Sequence, residues 1–264
     1  MSRRRLDAEL VRRGLARSRE HAQSLVADGR VLVGGVRAVK PATQVDAATS
    51  LVVREAQEGP DYVSRGAHKL VGALDAFGLD VTGRIALDAG ASTGGFTDVL
   101  LRRGVASVVA VDVGYGQLAW SIRSDPRVTV LERTNVRDLR PGDLDVRPDL
   151  VVADLSFISL SLVLAPLAAV VTDDADLVLM VKPQFEVGKE QVGPGGVVRD
   201  PALRSDAVRR IAAAALALGL GTAGVVASPL PGPSGNVEYF LHLRRGAGPL
   251  ADADLARAVE EGPR

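Results

Sequence analysis

The sequence predicts an α/β protein, with a seven-stranded, mostly parallel sheet flanked by helices and a small α+β domain before it. Three observations lead to this prediction. From about residue 64, short apolar runs alternate with helical patterns over short connections, as in parallel sheets. The first 55 residues instead combine two short helical patterns with short strands. Between these regions, Gly59-Pro60 interrupts a stretch without periodicity, which is typical of a linker.

In the N-terminal region, apolar residues at helical spacing predict a first helix, which Gly14 ends. Ser18 stands where it would cap a second helix. Residues 31–36 predict two strands joined by the turn Gly34-Gly35, and residues 51–53 predict a further strand.

In the larger region the predicted strands and helices alternate. The strands are predicted at 84–89, 107–112, 127–131, 149–154, 176–182, 222–227 and 236–243. The helices are predicted at 66–77, 95–103, 116–123, 158–170 and 201–218. The expected domains are therefore 1–58, a linker at 59–63, 64–250, and a C-terminal tail or helix at 251–264.

Composition limits the chemistry. The chain has 264 residues, of which 47% are hydrophobic and 24% charged, as expected for a folded protein of two domains. It has no cysteine, which excludes disulfides, thiolate nucleophiles and cysteine-bound zinc. The three histidines, at 21, 68 and 242, are too scattered to suggest a metal site, so we expect no metal.

The formal net charge is zero, but the charge is unevenly distributed. Residues 1–40 contain ten Lys or Arg against four Asp or Glu, whereas residues 41–264 contain 22 against 28. A basic N-terminal segment on an otherwise acidic protein suggests a polyanionic partner. The alternative is a solvated basic surface without a partner.

The N-terminal pattern resembles the S-four-like RNA-binding domain. The residues that carry the resemblance are Leu6-Asp7, Leu10-Val11, Ser18-Arg19, Ala22, Leu25-Val26, Gly29, Val31, Val33 and Gly35. In that family a helical face holds RNA phosphates. The resemblance therefore implies RNA contacts by Arg4, Arg5, Arg17, Arg19 and Lys40.

Residues 84–97 form a predicted strand, a glycine-rich turn and the start of a helix, where a nucleotide can approach the backbone closely. The spacing of Gly90, Gly94 and Gly95 contains no G-x-G-x-x-G, which argues against the alternative of a dinucleotide site. Asp112 ends the next strand, where a carboxylate can accept hydrogen bonds from ribose hydroxyls.

This loop resembles the S-adenosylmethionine loop of Rossmann-like class I methyltransferases. The resemblance implies S-adenosylmethionine as the cofactor, with S-adenosylhomocysteine as its product. It also implies cofactor contacts by Asp88, Gly90, Ala91, Ser92, Thr93, Gly94, Gly95, Phe96, Asp112, Val113 and Asn135, the last of these near the adenine.

Four charged residues lie where strand ends should converge. They are Lys69, Asp154, Lys182 and Glu238. Each has a plain structural alternative: Lys69 as a solvated helix residue, Asp154 as a turn cap, Glu238 as a surface strand position. A lysine that closes the apolar run 177–181 is harder to explain, because its charge must leave water. The order Lys–Asp–Lys–Glu resembles the catalytic tetrad of the FtsJ-like 2′-O-methyltransferases.

Further motifs resemble the TlyA family over nearly the whole chain. They are 62–66, Lys69-Leu70, 87–97, 110–118, 154–159, 182–186 and Ser234-Gly235-Asn236. The resemblance implies an rRNA cytidine-2′-O-methyltransferase that acts on 16S and 23S rRNA in ribosomal subunits, from a family also labelled hemolysins. The chain departs from the family pattern in the linker, at Pro60 and Tyr62, where relatives carry Arg and Trp.

The remaining RNA contacts are less specific. Phe157 is predicted to stack on a displaced base, or else to be a core residue. Arg65, His68 and Lys189 are predicted to line the RNA path, although the loop that carries Lys189 is equally consistent with plain surface.

Two other functions compete with ribose methylation. A base N-methyltransferase would carry prolines at 154–157, and they are missing. A membrane-lytic hemolysin would need an apolar span or a basic amphipathic helix, and no secretory signal is visible. The uncharged stretches at 155–172 and 211–237 are broken by serine, proline or glycine. We therefore expect a cytoplasmic protein with no membrane contact and no obligate protein partner.

Overall fold

The computed structural model describes residues 4–27, 29–46, 48–53, 62–232 and 234–263. The chain forms two compact units, Met1–Asp61 and Tyr62–Arg264. Residues 59–61 of the predicted linker lie outside the described residues, and Tyr62 and Val63 belong to the larger unit.

The smaller unit contains two helices and two small antiparallel sheets, one pairing β1 with β4 and the other ordered β3-β2-β5. Its elements are β1 (Arg4–Arg5), α1 (Leu6–Arg12), α2 (Arg19–Ala27), β2 (Val31–Val33), β3 (Val36–Arg37), β4 (Gln44–Val45) and β5 (Leu51–Val53). Both helices, the hairpin and the strand at 51–53 agree with the sequence prediction. The pair β1–β4 was not predicted.

Local chemistry explains why this small unit folds as it does. Leu6, Leu10 and Leu25 point inward from the two helices and are 0 to 2% exposed. Ser18 Oγ accepts a hydrogen bond from the backbone of His21 and caps α2. Gly34 and Gly35 both have positive φ, as the tight hairpin turn requires.

The larger unit is built on a seven-stranded sheet. Its first elements are α3 (Ala67–Phe77), β6 (Ile85–Ala89), α4 (Gly95–Arg102), β7 (Ser107–Val111), α5 (Trp120–Arg123), β8 (Val128–Leu131) and β9 (Leu150–Ala153). The remainder are α6 (Leu164–Val170), β10 (Asp176–Val181), α7 (Pro183–Glu186), α8 (Pro201–Ala217), β11 (Leu220–Ala227), β12 (Tyr239–Arg245) and α9 (Asp252–Glu261).

The strand order is β11-β12-β10-β9-β6-β7-β8, and only β12 runs antiparallel to its neighbours. The prediction of a seven-stranded, mostly parallel sheet is therefore confirmed. Two buried clusters cover its two faces, one against α3 and α4, the other against α6, α8 and α9. From β6 the chain first adds β7 and β8 on one side and then β9 and β10 on the other. In sheets of this topology, a cleft opens at the carboxyl ends of the parallel strands where the direction changes.

Two predicted helices differ from the structure. The helix predicted at 116–123 is only the single turn α5, because the preceding residues form turns around Gly114 and Gly116. The helix predicted at 158–170 begins as a 3-10 turn, Leu160–Leu162, capped by Ser159, and continues as α6. At the chain's end, Leu255 and Ala258 of α9 are buried against the sheet.

Charged side chains connect the strands at the end of the sheet that lies away from the cleft. Arg84 contacts Asp149 at 3.0 Å and Asp176 at 3.1 Å, and His242 lies 2.7 Å from the other oxygen of Asp176. These contacts join β6, β9, β10 and β12 at the edge away from the cleft. Among the described residues, no helix is long and apolar enough to cross a membrane.

Candidate active site

The glycine-rich loop between β6 and α4 lies in the cleft. Gly90 has φ +87°, and a Cβ there would lie 2.9 Å from the carbonyl oxygen of Asp154. Gly94 has φ +96°, and a Cβ there would lie 2.9 Å from Leu118. Both positions therefore require glycine, for backbone conformation and for space.

Asp112 ties this loop to the end of β7. Its carboxylate accepts hydrogen bonds from the backbone N–H of Ser92, at 2.8 Å, and of Gly114, at 2.6 Å. Ser92 itself has φ +48°, an unusual conformation for a residue with a side chain. The neighbouring Thr93 and Val113 are exposed, whereas Ala91, Gly95 and Phe96 are buried beneath the loop.

Asp88 lies fully buried below the loop. Its Oδ2 accepts a 2.6 Å hydrogen bond from Thr97, while its Oδ1 has no hydrogen-bond partner. Burial raises the pKa of Asp88 to about 7, although the Thr97 hydrogen bond acts in the opposite direction. Asn135 follows β8, and its side chain caps a 3-10 turn by accepting from the backbone of Arg137.

Lys69 and Glu238 form the first of two buried ion pairs. Lys69 Nζ, on α3, lies 2.5 Å from Glu238 Oε2, just before β12. Lys69 is 7% exposed and Glu238 1%, so the alternatives of a solvated helix residue and a surface strand position are wrong. A Cβ at Gly232 would lie 2.6 Å from Glu238 Oε1, so glycine is what makes room for this carboxylate.

Lys182 and Asp154 form the second pair. They follow the adjacent strands β10 and β9, and Lys182 Nζ lies 2.5 Å from Asp154 Oδ1. The ammonium also donates to Ser156 Oγ at 2.8 Å. A Cβ at Gly66, which precedes α3, would lie 4.0 Å from Asp154 Oδ2, so the helix that carries Lys69 starts beside the second pair. All four residues of the predicted tetrad thus reach the cleft next to the glycine-rich loop.

A model of the FtsJ-like methyltransferase family matches residues 62–245, and one of the S4 domain matches residues 4–50. The chain belongs to the FtsJ-like methyltransferase family.

Several relatives resemble this FtsJ-like methyltransferase over nearly the whole chain. The chain is 62% identical to the 16S/23S rRNA (cytidine-2'-O)-methyltransferase TlyA of Mycobacterium tuberculosis (strain ATCC 25618 / H37Rv), over 98% of both chains. It is 36% identical to Hemolysin A of Brachyspira hyodysenteriae, over 90% of this chain and 99% of that one. A solved structure described as a hemolysin from Streptococcus thermophilus is 39% identical, covers 99% of this chain and 97% of its own, and has a TM-score of 0.76.

An aromatic pair borders the tetrad of this FtsJ-like methyltransferase. Phe157 is 91% exposed and has φ +63°, so its alternative interpretation as a core residue is wrong. Its ring centre lies 5.2 Å from that of Phe185, and Lys182 Nζ lies 5.9 Å from the Phe185 ring. Sequence reasoning missed Phe185 and Ser156 as site residues, although both belong to motifs that carried the family resemblance.

Buried polar residues hold the surrounding loops of the methyltransferase domain. Glu186 accepts from Ser159 Oγ at 2.6 Å and from the Leu160 backbone at 2.8 Å, and burial raises its pKa. Asn236 donates to the Gly196 carbonyl at 2.8 Å and accepts from the Val198 backbone at 2.9 Å. Sequence reasoning assigned neither residue a role in the site.

The predicted RNA-contacting residues lie at accessible positions. In the methyltransferase domain Lys189 is exposed, and Arg65 and His68 are half-buried near the start of α3. The His68 ring packs edge-on against Tyr62, with the ring centres 5.4 Å apart. In the S4 domain all five predicted basic residues are exposed: Arg4, Arg5, Arg17, Arg19 and Lys40.

Proposed function

We propose that this protein transfers the methyl group of S-adenosylmethionine to the ribose 2′-hydroxyl of cytidine in 16S and 23S rRNA. The observation that carries the proposal is the arrangement of two lysine–carboxylate pairs beside a glycine-rich loop in the cleft of the sheet. The 62% identity to a relative named for this reaction supports the choice of cytidine and of both rRNAs.

The loop fits the proposed cofactor. Gly90 and Gly94 let the loop turn tightly against Asp154 and Leu118. Asp112 places a carboxylate at the end of the neighbouring strand, where ribose hydroxyls can donate to it. When bound, the cofactor supplies an electrophilic methyl group. We assign the remaining contacts to Asp88, Ala91, Ser92, Thr93, Gly95, Phe96, Val113 and Asn135. Since Asp88 is fully buried, it supports the loop from below.

Lys182 is the proposed residue at the reacting oxygen. A ribose hydroxyl is a poor nucleophile. The site must therefore orient it and either take up its proton or stabilise the developing alkoxide. Asp154 and Ser156 hold the Lys182 ammonium in place from two sides. The other ion pair, between Lys69 and Glu238, orients the sugar or its neighbours. Lysine can act here as a base when neutral or as a cation beside the developing alkoxide when charged.

The proposed RNA path starts on the S4 domain, whose exposed arginines and Lys40 hold phosphates. Phe157 is the proposed stacking partner of the displaced target base, because an exposed aromatic ring in a strained backbone is unusual without a function. In the methyltransferase domain, we assign further RNA contacts to Arg65, His68 and Lys189. We propose ribosomal subunits as the substrate, and the cytoplasm as the location, because ribosomes are there.

The decisive experiment measures transfer of labelled methyl from S-adenosylmethionine to purified ribosomal subunits, with the product digested to nucleosides. We expect label in 2′-O-methylcytidine, and none with Lys182→Ala. Label on a base would support the alternative N-methyltransferase instead. Label on neither subunit would refute the proposed substrate.

The hemolysin name of two relatives calls for a separate test. Dye-loaded liposomes mixed with the purified protein should retain their dye at concentrations that give full methyl transfer. Release of the dye by wild type and by Lys182→Ala alike would reveal a membrane activity that does not depend on the proposed chemistry.

A further inference from the structure

Asp7 of the S4 domain is a buried acid inside a basic surface. It lies on α1 and is 0% exposed, although it is surrounded by residues that the proposed function assigns to RNA phosphates. A carboxylate in such a surface lowers the attraction for a polyanion, and its burial costs solvation. Its position therefore needs an explanation other than surface charge.

The contacts of Asp7 supply that explanation. Arg5 donates through Nε at 3.1 Å and through a terminal nitrogen at 2.8 Å, one bond to each carboxylate oxygen. Arg19 donates to Oδ2 at 3.2 Å, and Gln23 Nε2 lies 3.3 Å from the same oxygen. The backbone N–H of Ala8 donates to Oδ1 at 2.8 Å. One carboxylate thus joins guanidinium groups from β1 and from α2.

Both arginines remain available to a ligand. The Arg5 side chain is 45% exposed and the Arg19 side chain 58% exposed, while the carboxylate between them is fully covered. A guanidinium has five N–H donors, so each arginine keeps donors on the side away from Asp7. The side chains are therefore fixed at one end and open to solvent at the other.

We propose that Asp7 is a positioning residue, which holds Arg5 and Arg19 in a preformed arrangement for two RNA phosphates. This inference rests on the proposed RNA binding by the S4 domain. Free arginine side chains would have to be ordered when RNA binds, and that ordering lowers affinity. Asp7 orders them while the protein folds, before it meets RNA.

The proposal predicts the sign of a charge effect. Asp7→Asn adds one net positive charge, so a surface-charge view predicts tighter RNA binding. Loss of a positioning residue predicts weaker binding instead, by about 2- to 10-fold for each arginine released. The matched control is Glu20→Gln, which makes the same charge change at an exposed position of α2 and should leave affinity equal or slightly higher.

The experiment uses the full-length protein and transcribed 23S rRNA, with filter binding at several salt concentrations. Thermal unfolding and cofactor binding are measured on the same samples. Since Asp7→Asn removes a buried charge and can fail to fold, a second variant, Arg5→Lys with Arg19→Lys, keeps every charge but loses the forked contact geometry. Weaker binding by the folded variants, with Glu20→Gln unchanged or tighter, supports the proposal.

A third variant separates RNA binding by the S4 surface from the positioning role of Asp7. Arg5→Ala with Arg19→Ala should weaken RNA binding if the S4 surface holds RNA at all. If it does, and Asp7→Asn and the double lysine variant bind as well as wild type, the positioning role is overturned while RNA binding stands. If the double alanine variant binds like wild type, both the RNA surface and the inference are overturned.

Discussion

Lys182 and Lys69 are both buried and both paired with a carboxylate at 2.5 Å, but their surroundings differ. Lys182 also touches Ser156 and lies near the half-buried ring of Phe185, whereas Lys69 faces Glu238, which is 1% exposed. The Asp154 side chain is 25% exposed, so water reaches the Lys182 pair more easily. The two lysines should therefore respond differently to the same substitution.

Lys182→Met should lower kcat by about 100- to 10,000-fold, the usual effect of losing a proton-transfer or charge-stabilising group. Cofactor affinity should change little, because the glycine-rich loop is untouched. Steady-state kinetics and equilibrium cofactor binding on the same preparation measure both. Retention of full activity would show that Lys182 has no catalytic role.

Lys69→Met should have the larger effect on stability. It leaves Glu238 buried without its cation, which costs about 3–5 kcal/mol in such pairs. The double variant Lys69→Met with Glu238→Gln should recover much of this loss, since no uncompensated charge then remains. Urea denaturation of the two variants measures the difference. Equal stabilities would mean that the buried charge is not what destabilises the single variant.

The raised pKa of Asp88 predicts that the free energy of unfolding depends on pH. Its pKa of about 7 lies above the ordinary value of 3.8, so the folded protein keeps the proton where the unfolded chain has lost it. The cost of this burial is absent below about pH 4, grows to at most about 4 kcal/mol by pH 7, and is constant above. Asp88→Asn should therefore gain stability relative to wild type as pH rises from 4 to 8, measured by thermal unfolding across that range. A difference that stays constant with pH would contradict the prediction.

The turn after β6 can be tested by comparing Gly90 with Gly83, a glycine just before the same strand. Gly83 and Gly90 both have positive φ, but only Gly90 has neighbours within 4 Å of an added Cβ. Gly83→Ala should cost about 1–2 kcal/mol, from backbone strain alone. Gly90→Ala should cost more and should also weaken cofactor binding, because Asp154 and Leu155 must move. Equal losses of stability in urea denaturation would show that space at Gly90 is not limiting.

The strands of the large sheet could be predicted from the sequence because most are buried on both faces and appear as continuous apolar runs. The pair β1–β4 could not, because two-residue strands have no periodicity. The start of α6 could not either. Pro166 lacks a backbone donor and is tolerated only in the first turn of a helix, so it sets the start at Leu164 rather than at 158.

The four residues of the proposed tetrad could be selected from the sequence because three of them adjoin strand ends and Lys69 lies on the helix before the first strand of the sheet, in the order of the family's tetrad. The supporting residues could not, since their contacts join segments far apart in the chain. Glu186 reaches Ser159 across 27 positions and Asn236 reaches Gly196 across 40. Nothing local in the sequence distinguishes such a buried glutamate or asparagine from a surface one.

The charge asymmetry of the chain predicts how RNA binding responds to salt. Arg4, Arg17 and Lys40 are exposed on the S4 domain. Log affinity falls as log salt rises. Joint replacement of the three residues by alanine should make this fall shallower, reducing the magnitude of the slope by about three, one for each lost phosphate contact. Filter binding at several salt concentrations measures the slope, and a slope equal to that of wild type would refute these contacts.

The same triple variant should leave the methyltransferase domain intact. Trp120 is the only tryptophan in the chain, and it is 77% exposed on α5, which follows the Asp112 turn. Its fluorescence therefore reports on the methyltransferase domain. Cofactor titrations should give the same curve for wild type and the triple variant, and a weaker affinity would point to general damage instead.

The reversed direction of β12 has a practical consequence for protein engineering. Because this strand runs against its neighbours, Glu238 precedes it, while Asp88, Asp154 and Lys182 belong to the ends of strands that run the other way. The turns at the opposite edge carry none of these residues. A peptide tag inserted near the exposed Gly142, in the connection from β8 to β9, should be tolerated, whereas the same tag near Gly235, shortly before Glu238, should disable the enzyme.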